Sequence, residues 1–76
     1  MKEFVEYVVK ALVDYPDEVS VREVDGERTV VFELRLNKTD IGKVIGKKGR
    51  TIMAMRTILN ATRAQTSKRQ VLEVIE

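Results

Sequence analysis

Cysteine and histidine are both absent from this 76-residue sequence. Their absence excludes disulfides, thiolate or imidazole catalysis and the usual structural zinc sites, so we expect no metal and no cofactor. No apolar run approaches the length of a membrane span, and the start Met1-Lys2-Glu3-Phe4 mixes acidic and basic residues, unlike a signal peptide. We therefore expect a soluble, cytoplasmic protein.

The chain is also short, and its length limits the kind of site that it offers. A sequence of 76 residues is expected to form one domain, here residues 1–76, which buries roughly 60% of its unfolded surface. Such a domain has room for one core and a shallow surface site, but hardly for a deep pocket. Carboxylate catalysis has little support, because Asp40 is the only acidic residue between Asn37 and Gln70 and helix capping explains it. We expect a protein that is not an enzyme.

Charge is divided unequally between the two halves of the chain. Residues 1–37 carry five basic and nine acidic side chains, a net charge of −4, whereas residues 38–76 carry nine basic and three acidic ones, a net charge of +6. The second half is therefore the candidate anion-binding half.

Residues 2–15 have the apolar spacing of an amphipathic helix. The apolar residues of this stripe are Phe4, Val5, Val8, Val9, Leu12 and Val13. Pro16 is expected to close the helix, because the residue before a proline is pushed out of the helical conformation. Valines make the helix weak in isolation, so we expect the stripe to pack on the core rather than on a membrane or a partner.

Residues 19–36 show the alternation of two β-strands on either side of Asp25-Gly26. This dipeptide suits a two-residue hairpin turn. In the register that follows, Val21 faces Val30, and the inward residues of both strands fall on one face of the sheet.

Residues 37–40 are predicted to form a loop in which Thr39 or Asp40 caps a short helix, Ile41–Ile45. The residues of this helix that we expect to face the core are Ile41, Val44 and Ile45. Gly42 weakens so short a helix, and either close packing against the next helix or the approach of a ligand explains its presence.

The rest of the chain is predicted to be one long helix, a link and a strand. The helix runs from Arg50 to about Ala64. Its apolar stripe consists of Ile52, Met55, Leu59 and Thr62, with Ile58 beside it. After a polar link, residues 64–69, the strand Gln70–Ile75 completes a strand–helix–helix–strand crossover, which places its two strands parallel.

Between the last two helices lies the turn Gly46-Lys47-Lys48-Gly49. Two glycines let the backbone turn sharply and let a ligand approach main-chain N–H groups. The following helix adds its first N–H groups and the positive end of its dipole, while both lysines and Arg50 add charge. We interpret the segment as a phosphate-gripping turn; the alternative is that Gly46 only caps a helix and the lysines are simply solvated.

The string Val44-Ile45-Gly46-Lys47-Lys48-Gly49-Arg50-Thr51-Ile52 resembles the V-I-G-x-x-G-x-x-I core of KH domains. The GXXG loop of these domains holds roughly four nucleotides of single-stranded RNA or DNA by the backbone. The predicted order of elements is similar to the type II, prokaryotic KH fold, an α+β fold with a three-stranded mixed sheet and three helices on one face. The resemblance covers essentially the whole chain, whose length is similar to that of the small bacterial single-KH proteins of the KhpA family.

The resemblance implies a non-catalytic protein that grips short single-stranded RNA through residues 46–49. The RNA-binding residues that it implies are Ile41, Gly42, Lys43, Ile45, Gly46, Lys47, Lys48, Gly49, Arg50, Ile52 and Met53. The groove's other wall is expected near Arg35 and Leu36, and its base contacts are expected to be aliphatic or polar because no aromatic residue lies beyond Phe32. The resemblance also implies an RNA chaperone that forms a homodimer or a complex with a larger KH-containing RNA-binding protein of the Jag type.

A nucleotide-binding P-loop is a weaker interpretation of the same turn. Gly42, Gly46 and Lys47 echo the pattern G-x-x-x-x-G-K-[ST], but the spacing is one residue short. Lys48 also stands where the magnesium-binding Ser or Thr is required. ATPase or kinase activity is therefore not expected.

Two further interpretations place the function on the last helix. A protein-interaction or dimerisation module with little RNA affinity would use its exposed side, at Met53, Ala54, Thr57 and Ala61. A binder of double-stranded DNA would read base edges with Arg56, Asn60 and Arg63. The salt dependence of binding distinguishes the protein-interaction module from phosphate gripping, because apolar docking should barely respond to counterions. It does not distinguish the binder of double-stranded DNA.

Overall fold

The structure, a computed structural model, describes residues 2–61 and 67–75. Three helices and three strands follow one another in the order α-β-β-α-α-β, which confirms the predicted α+β class. Their bounds are α1 Lys2–Leu12, β1 Ser20–Asp25, β2 Thr29–Arg35, α2 Ile41–Ile45, α3 Arg50–Ala61 and β3 Arg69–Ile75. Short 3₁₀ turns lie between some of these elements, at Pro16–Glu18, Lys38–Asp40 and Lys47–Gly49.

The strands form one mixed sheet in the order β1-β2-β3. The central strand, β2, is antiparallel to β1 and parallel to β3. The parallel pair is the one joined by the crossover through α2 and α3, as the sequence predicts. Because β3 is an edge strand, the backbone groups on its outer side face α3 and solvent rather than another strand.

The predicted hairpin register is wrong. Val21 pairs with Leu34 rather than with Val30, and the strands turn around Glu27 and Arg28, where the Gly26 N–H donates to the Thr29 carbonyl at 2.8 Å. The shift is four residues, an even number, so the apolar residues of both strands still face the same side. Contacts with the start of β3 and the residue before it hold this turn in place: the Lys68 ammonium reaches Asp25 at 2.6 Å and the Arg69 N–H donates to the Arg28 carbonyl at 3.0 Å.

One face of the sheet carries the core. In β2, residues 30, 32 and 34 are buried, whereas the residues between them are half-buried. The buried apolar side chains come from all the strands and helices: Val5, Val9, Val21, Val30, Phe32, Leu34, Val44, Ile52, Met55, Leu59 and Leu72. The valines of α1 therefore pack on the core, as the sequence predicts, and the helices cover this face.

Helix α1 ends earlier than predicted, at Leu12 rather than Tyr15. The reason is a long-range contact. The backbone N–H groups of Asp14 and Tyr15 donate to the carboxylate of Asp40, at 3.2 and 3.0 Å, instead of continuing the helix. Pro16 opens a 3₁₀ turn rather than closing the helix directly.

The predicted cap of α2 is also wrong. Asp40 precedes the helix but makes no side-chain capping hydrogen bond, because its carboxylate is directed toward the end of α1. Asn37 is the capping residue instead: its Oδ1 accepts the Thr39 N–H at 2.9 Å and so starts the 3₁₀ turn before α2.

Some predicted features lie outside the described residues. These are the end of the last helix near Ala64, the stripe residue Thr62, the base-reading candidate Arg63 and most of the polar link. Among the helices of residues 2–61 and 67–75, none is both long enough and apolar enough to cross a membrane.

Candidate nucleic-acid interface

The turn between α2 and α3 is built on left-handed backbone conformations. Gly46 has φ 79° and ψ 170°, Lys48 has φ 58° and ψ 25°, and Gly49 has φ 73°. Only glycine adopts the first of these pairs without strain. The chain leaves α2 with the Gly46 N–H bonded to the Gly42 carbonyl at 2.9 Å, so Gly46 does cap the helix.

Gly46 is also required by the space around it. A Cβ at this position would lie 2.2 Å from Oγ1, 2.7 Å from Cβ and 2.9 Å from the backbone N of Thr51. The first turn of α3 therefore packs directly on the Gly46 backbone. A Cβ at Gly49, in contrast, meets nothing within 4 Å. The turn is thus packed against α3 at Gly46 and has free space around Gly49.

Three cations surround this turn. Lys47, Lys48 and Arg50 are exposed, and within the described part of the chain no hydrogen bond or ion pair engages their side chains. Two backbone N–H groups that we expected to be available are already used, since Gly49 donates to the Gly46 carbonyl and Arg50 to that of Lys47. The positive charge of the side chains is therefore the main attraction that the turn offers to an anion.

The outer face of α2 continues the surface next to the turn. A Cβ at Gly42 meets nothing within 4 Å, so of the two explanations considered for this glycine, close packing against the next helix is wrong and the helix is open to approach here. Ile45 is 36% exposed and Ile41 half-buried, whereas Val44 is fully buried. Of the three apolar residues predicted to face the core, Ile45 lies instead on the surface beside the turn.

Lys43 is held by two carboxylates. Its ammonium donates to Asp14 and to Asp40, the latter at 3.2 Å. Burial by itself would raise the pKa of the Asp40 carboxyl, but the N–H groups of Asp14 and Tyr15 and the Lys43 ammonium together hold this pKa below its usual value. The hydrogen bonds to Asp14 and then to Asp40 raise the pKa of Lys43. Lys43 is thus engaged in ion pairs, unlike Lys47 and Lys48 of the turn within the described residues.

A polar groove runs between α3 and the edge strand β3. The side chain of Arg56 crosses it and donates to the Leu72 carbonyl, from Nε at 3.4 Å and from Nη2 at 3.1 Å. The residues that line the groove are Arg56, Asn60, Arg69, Gln70, Val71, Leu72 and Glu73. Met53 is 61% exposed and precedes Arg56 by three positions, which places both on the same side of α3. Met53 thus lies between the turn and this groove.

An apolar groove lies on the opposite side of α3, against α1. Its lining consists of Phe4, Val8, Leu12, Arg50, Thr51, Ala54, Met55 and Ile58. Ile58, predicted beside the apolar stripe of this helix, is 47% exposed and lines the groove rather than the core. The four residues proposed from sequence as a protein-docking surface, Met53, Ala54, Thr57 and Ala61, are all exposed. Only Ala54 among them belongs to the apolar groove.

The predicted RNA-binding residues fall into three groups. Those exposed around the turn and on α2 are Gly42, Lys43, Ile45, Lys47, Lys48, Arg50 and Met53. Those half-buried are Ile41, Gly46 and Gly49. Ile52 is buried in the core, with 7% exposure. Arg35 alternates with the buried Leu34 and so lies on the sheet face away from the helices, whereas the strand beside α3 is β3.

Arg56 and Asn60, which were predicted from sequence only as readers of double-stranded DNA, line the groove between α3 and β3. In the structure Arg56 is directed at the strand edge, and the Asn60 Nδ2 donates to the Arg56 carbonyl at 2.9 Å. A signal for this placement exists in the sequence. The parallel crossover places the last strand beside the last helix, and residues 56 and 60, four positions apart, lie on the same side of that helix.

The element order, the mixed sheet and a glycine-bracketed basic turn between two helices define the type II KH fold. A family model described as the KH domain of KhpA/KhpB matches residues 2–74, and the chain belongs to this family.

Curated relatives agree over the full length. The chain is 50% identical over 76 residues to the RNA-binding protein KhpA of Chlamydia pneumoniae, with 100% of this chain and 97% of that protein covered. It is 51% identical over 76 residues to the RNA-binding protein KhpA of Aquifex aeolicus, covering 100% and 96% of the two chains. It is 48% identical over 75 residues to that of Clostridium acetobutylicum, covering 99% and 100%. No solved structure matches the chain significantly.

Proposed function

We propose that this protein is a non-catalytic RNA-binding protein that grips a short single-stranded segment by its phosphates at the turn Gly46–Gly49. The observation that carries the proposal is the set of three exposed, unpaired cations, Lys47, Lys48 and Arg50, around a turn fixed by Gly46. The curated relatives of the same length are named RNA-binding proteins, which supports this ligand.

The strand is proposed to run from the turn toward the groove between α3 and β3. Lys47 and Lys48 bind phosphates, while Met53 and Ile45 provide apolar surface for bases. Arg56 and Arg69 extend the positive charge along the groove. Bases therefore meet aliphatic and polar groups rather than aromatic rings, and sequence preference is expected to be modest.

We further propose that residues 1–76 act as one KH domain and that binding is strengthened by assembly. A single domain that holds about four nucleotides is expected to bind in the micromolar range or more weakly, and a second copy or a partner adds avidity. A homodimer and a complex with a larger KH-containing protein of the Jag type both satisfy this need. The family model, which covers the KH domains of KhpA and KhpB together, supports the second partner.

The test is a titration of a labelled single-stranded RNA pool with wild type and with the double variant Lys47→Asp, Lys48→Asp at two salt concentrations. With two or three phosphate contacts, the log–log salt slope of wild type should be about −1.4 to −2. The double variant should lose binding while circular dichroism shows an unchanged fold, because both side chains are exposed.

The matched control is the double variant Lys10→Asp, Arg28→Asp, which makes the same change of charge at two exposed positions away from the turn. If the control loses as much affinity as the turn variant, general charge and not the turn attracts the RNA. A parallel titration with single-stranded DNA determines whether the ligand is RNA alone.

The apolar groove between α1 and α3 favours a second function, in which this chain has little RNA affinity and docks a second copy of itself or another protein. Leu12 and Ile58 are exposed and offer it apolar surface that the core does not use. If wild type does not bind RNA but self-associates with a constant that barely changes with salt, and Ile58→Asp abolishes the association, this function replaces the first.

A further inference from the structure

Two segments that are distant in sequence, the end of α1 and the start of α2, meet at the Lys43 ammonium. Lys43 lies in the middle of α2, Asp40 directly precedes α2, and Asp14 follows the end of α1. The Asp40 carboxylate is fully buried and receives N–H donors from Asp14 and Tyr15 as well as the ammonium. Asp40 and Lys43 are only three positions apart, but their contacts with Asp14 and Tyr15 span 25 to 29 positions, so the cluster ties two distant segments together.

We propose that Lys43 is a positioning residue that, with Asp14 and Asp40, clamps α2 to the end of α1 and so fixes the turn Gly46–Gly49, rather than a phosphate-binding residue. This role of Lys43 differs from the RNA contact that the resemblance to KH domains implies. It rests on the proposed function only for its RNA-binding measurement, whereas its structural measurement is independent of any ligand.

Charge argues against a phosphate contact at Lys43. The ammonium is shared by two carboxylates, so the cluster carries a net charge of −1 and repels a phosphate that approaches it. Freeing the ammonium for RNA would also leave the buried Asp40 carboxylate without its cation, which is costly. The lysines of the turn carry no such penalty.

The connection from the clamp to the turn is short. Helix α2 has only five residues and little stability of its own, so its orientation depends on tertiary contacts. Gly42 is adjacent to Lys43, and its carbonyl accepts the Gly46 N–H at 2.9 Å; the Gly46 carbonyl in turn accepts the Gly49 N–H at 3.0 Å. If α2 is released from α1, we therefore expect the turn to shift as well, because these two consecutive hydrogen bonds connect it to α2.

The structural test is native-state hydrogen exchange of wild type, Lys43→Met and Lys43→Arg, followed by NMR. In Lys43→Met the amides of Gly46 and Gly49 should exchange about tenfold faster, because a charge-assisted hydrogen bond stabilises the closed form by at least this factor. Amides of the central strand β2 should change much less. Lys43→Arg, which can keep both ion pairs, should restore the slow exchange.

Matched variants separate the clamp from general effects. Lys10→Met removes an exposed lysine of α1 and should leave the turn amides unchanged. Asp14→Asn removes one partner of the ammonium at a side chain that is 69% exposed, so the variant should fold and show the same effect to a smaller degree. If turn and β2 amides accelerate equally in both clamp variants, the cluster contributes only global stability and the proposal fails.

The salt slope of RNA binding distinguishes positioning from phosphate contact. Removal of a phosphate contact reduces the slope by about 0.7, which is the result expected for Lys47→Met. Lys43→Met should weaken binding with an unchanged slope. A reduced slope together with unchanged exchange at the turn would make Lys43 a phosphate contact and overturn the proposal. Absence of RNA binding in wild type would refute the proposed function but leave the exchange result to decide the clamp.

Discussion

Replacement of Gly46 by alanine tests whether the turn has the geometry on which the site depends. An alanine there would have to adopt φ 79° and ψ 170°, a conformation that is essentially restricted to glycine and costs about 1–3 kcal/mol. Its Cβ also lies within 3 Å of three atoms of Thr51, and forcing such a group into a packed site costs roughly 1–3 kcal/mol more. The expected loss is therefore about 3 kcal/mol, a large part of the roughly 4–11 kcal/mol that a 76-residue domain has in total.

Gly49→Ala is the matched control for this prediction. Gly49 has a similar φ of 73° but open space around its Cβ position, so the substitution should cost only about 1–2 kcal/mol. Urea denaturation at pH 7 compares both variants with wild type through the midpoint at constant m. Thr51→Ser should not rescue Gly46→Ala, because the clashes with Cβ and the backbone N of residue 51 remain. Equal losses for both glycines would refute the assignment of close packing to Gly46.

Further expectations concern the tertiary ties. Asp40→Asn should cost about 2 kcal/mol in urea denaturation, because the amide brings only one acceptor oxygen to a buried site with three donors. Since the pKa of Asp40 is lowered in the folded protein, its stabilisation is complete above the usual aspartate pKa of about 4 and is lost as the pH falls toward the folded pKa. The stability gap between wild type and Asp40→Asn should therefore narrow between pH 7 and pH 3, and a constant gap would contradict this. A double-mutant cycle on Arg22 and Glu33, which pair across β1 and β2 at 3.8 Å, should give a coupling below about 1 kcal/mol, because Arg22 is 74% exposed.

Local chemistry determined the parts of the fold that the sequence predicts well. Helix α2 has the predicted bounds Ile41–Ile45, and α1 packs its valine stripe on the core. The glycine turn was located from residue types alone, because its conformation requires glycine at Gly46 whatever surrounds it. The parallel pairing of β2 and β3 followed from the intervening helices.

Errors of prediction occurred where distant residues compete with a local preference. Asp25-Gly26 favours a two-residue turn, but Asp25 and Arg28 contact Lys68 and Arg69, and the observed register is shifted by four residues from the predicted one. Asp40 has the composition and position of a helix cap, yet its carboxylate is bonded to N–H groups that lie 25 and 26 residues earlier in the chain. No local pattern contains these partners.

The sequence by itself determined the order of the elements, the apolar faces and the basic glycine turn, because each depends on residues that are neighbours along the chain. Only the tertiary structure decided which cations near the turn are available. Lys47 and Lys48 remain unpaired in the described chain, while Lys43 is held by Asp14 and Asp40. The reason is physical: the charge that a lysine offers to a ligand depends on its neighbours in space, and folding brings carboxylates to one lysine of this segment and not to the other two.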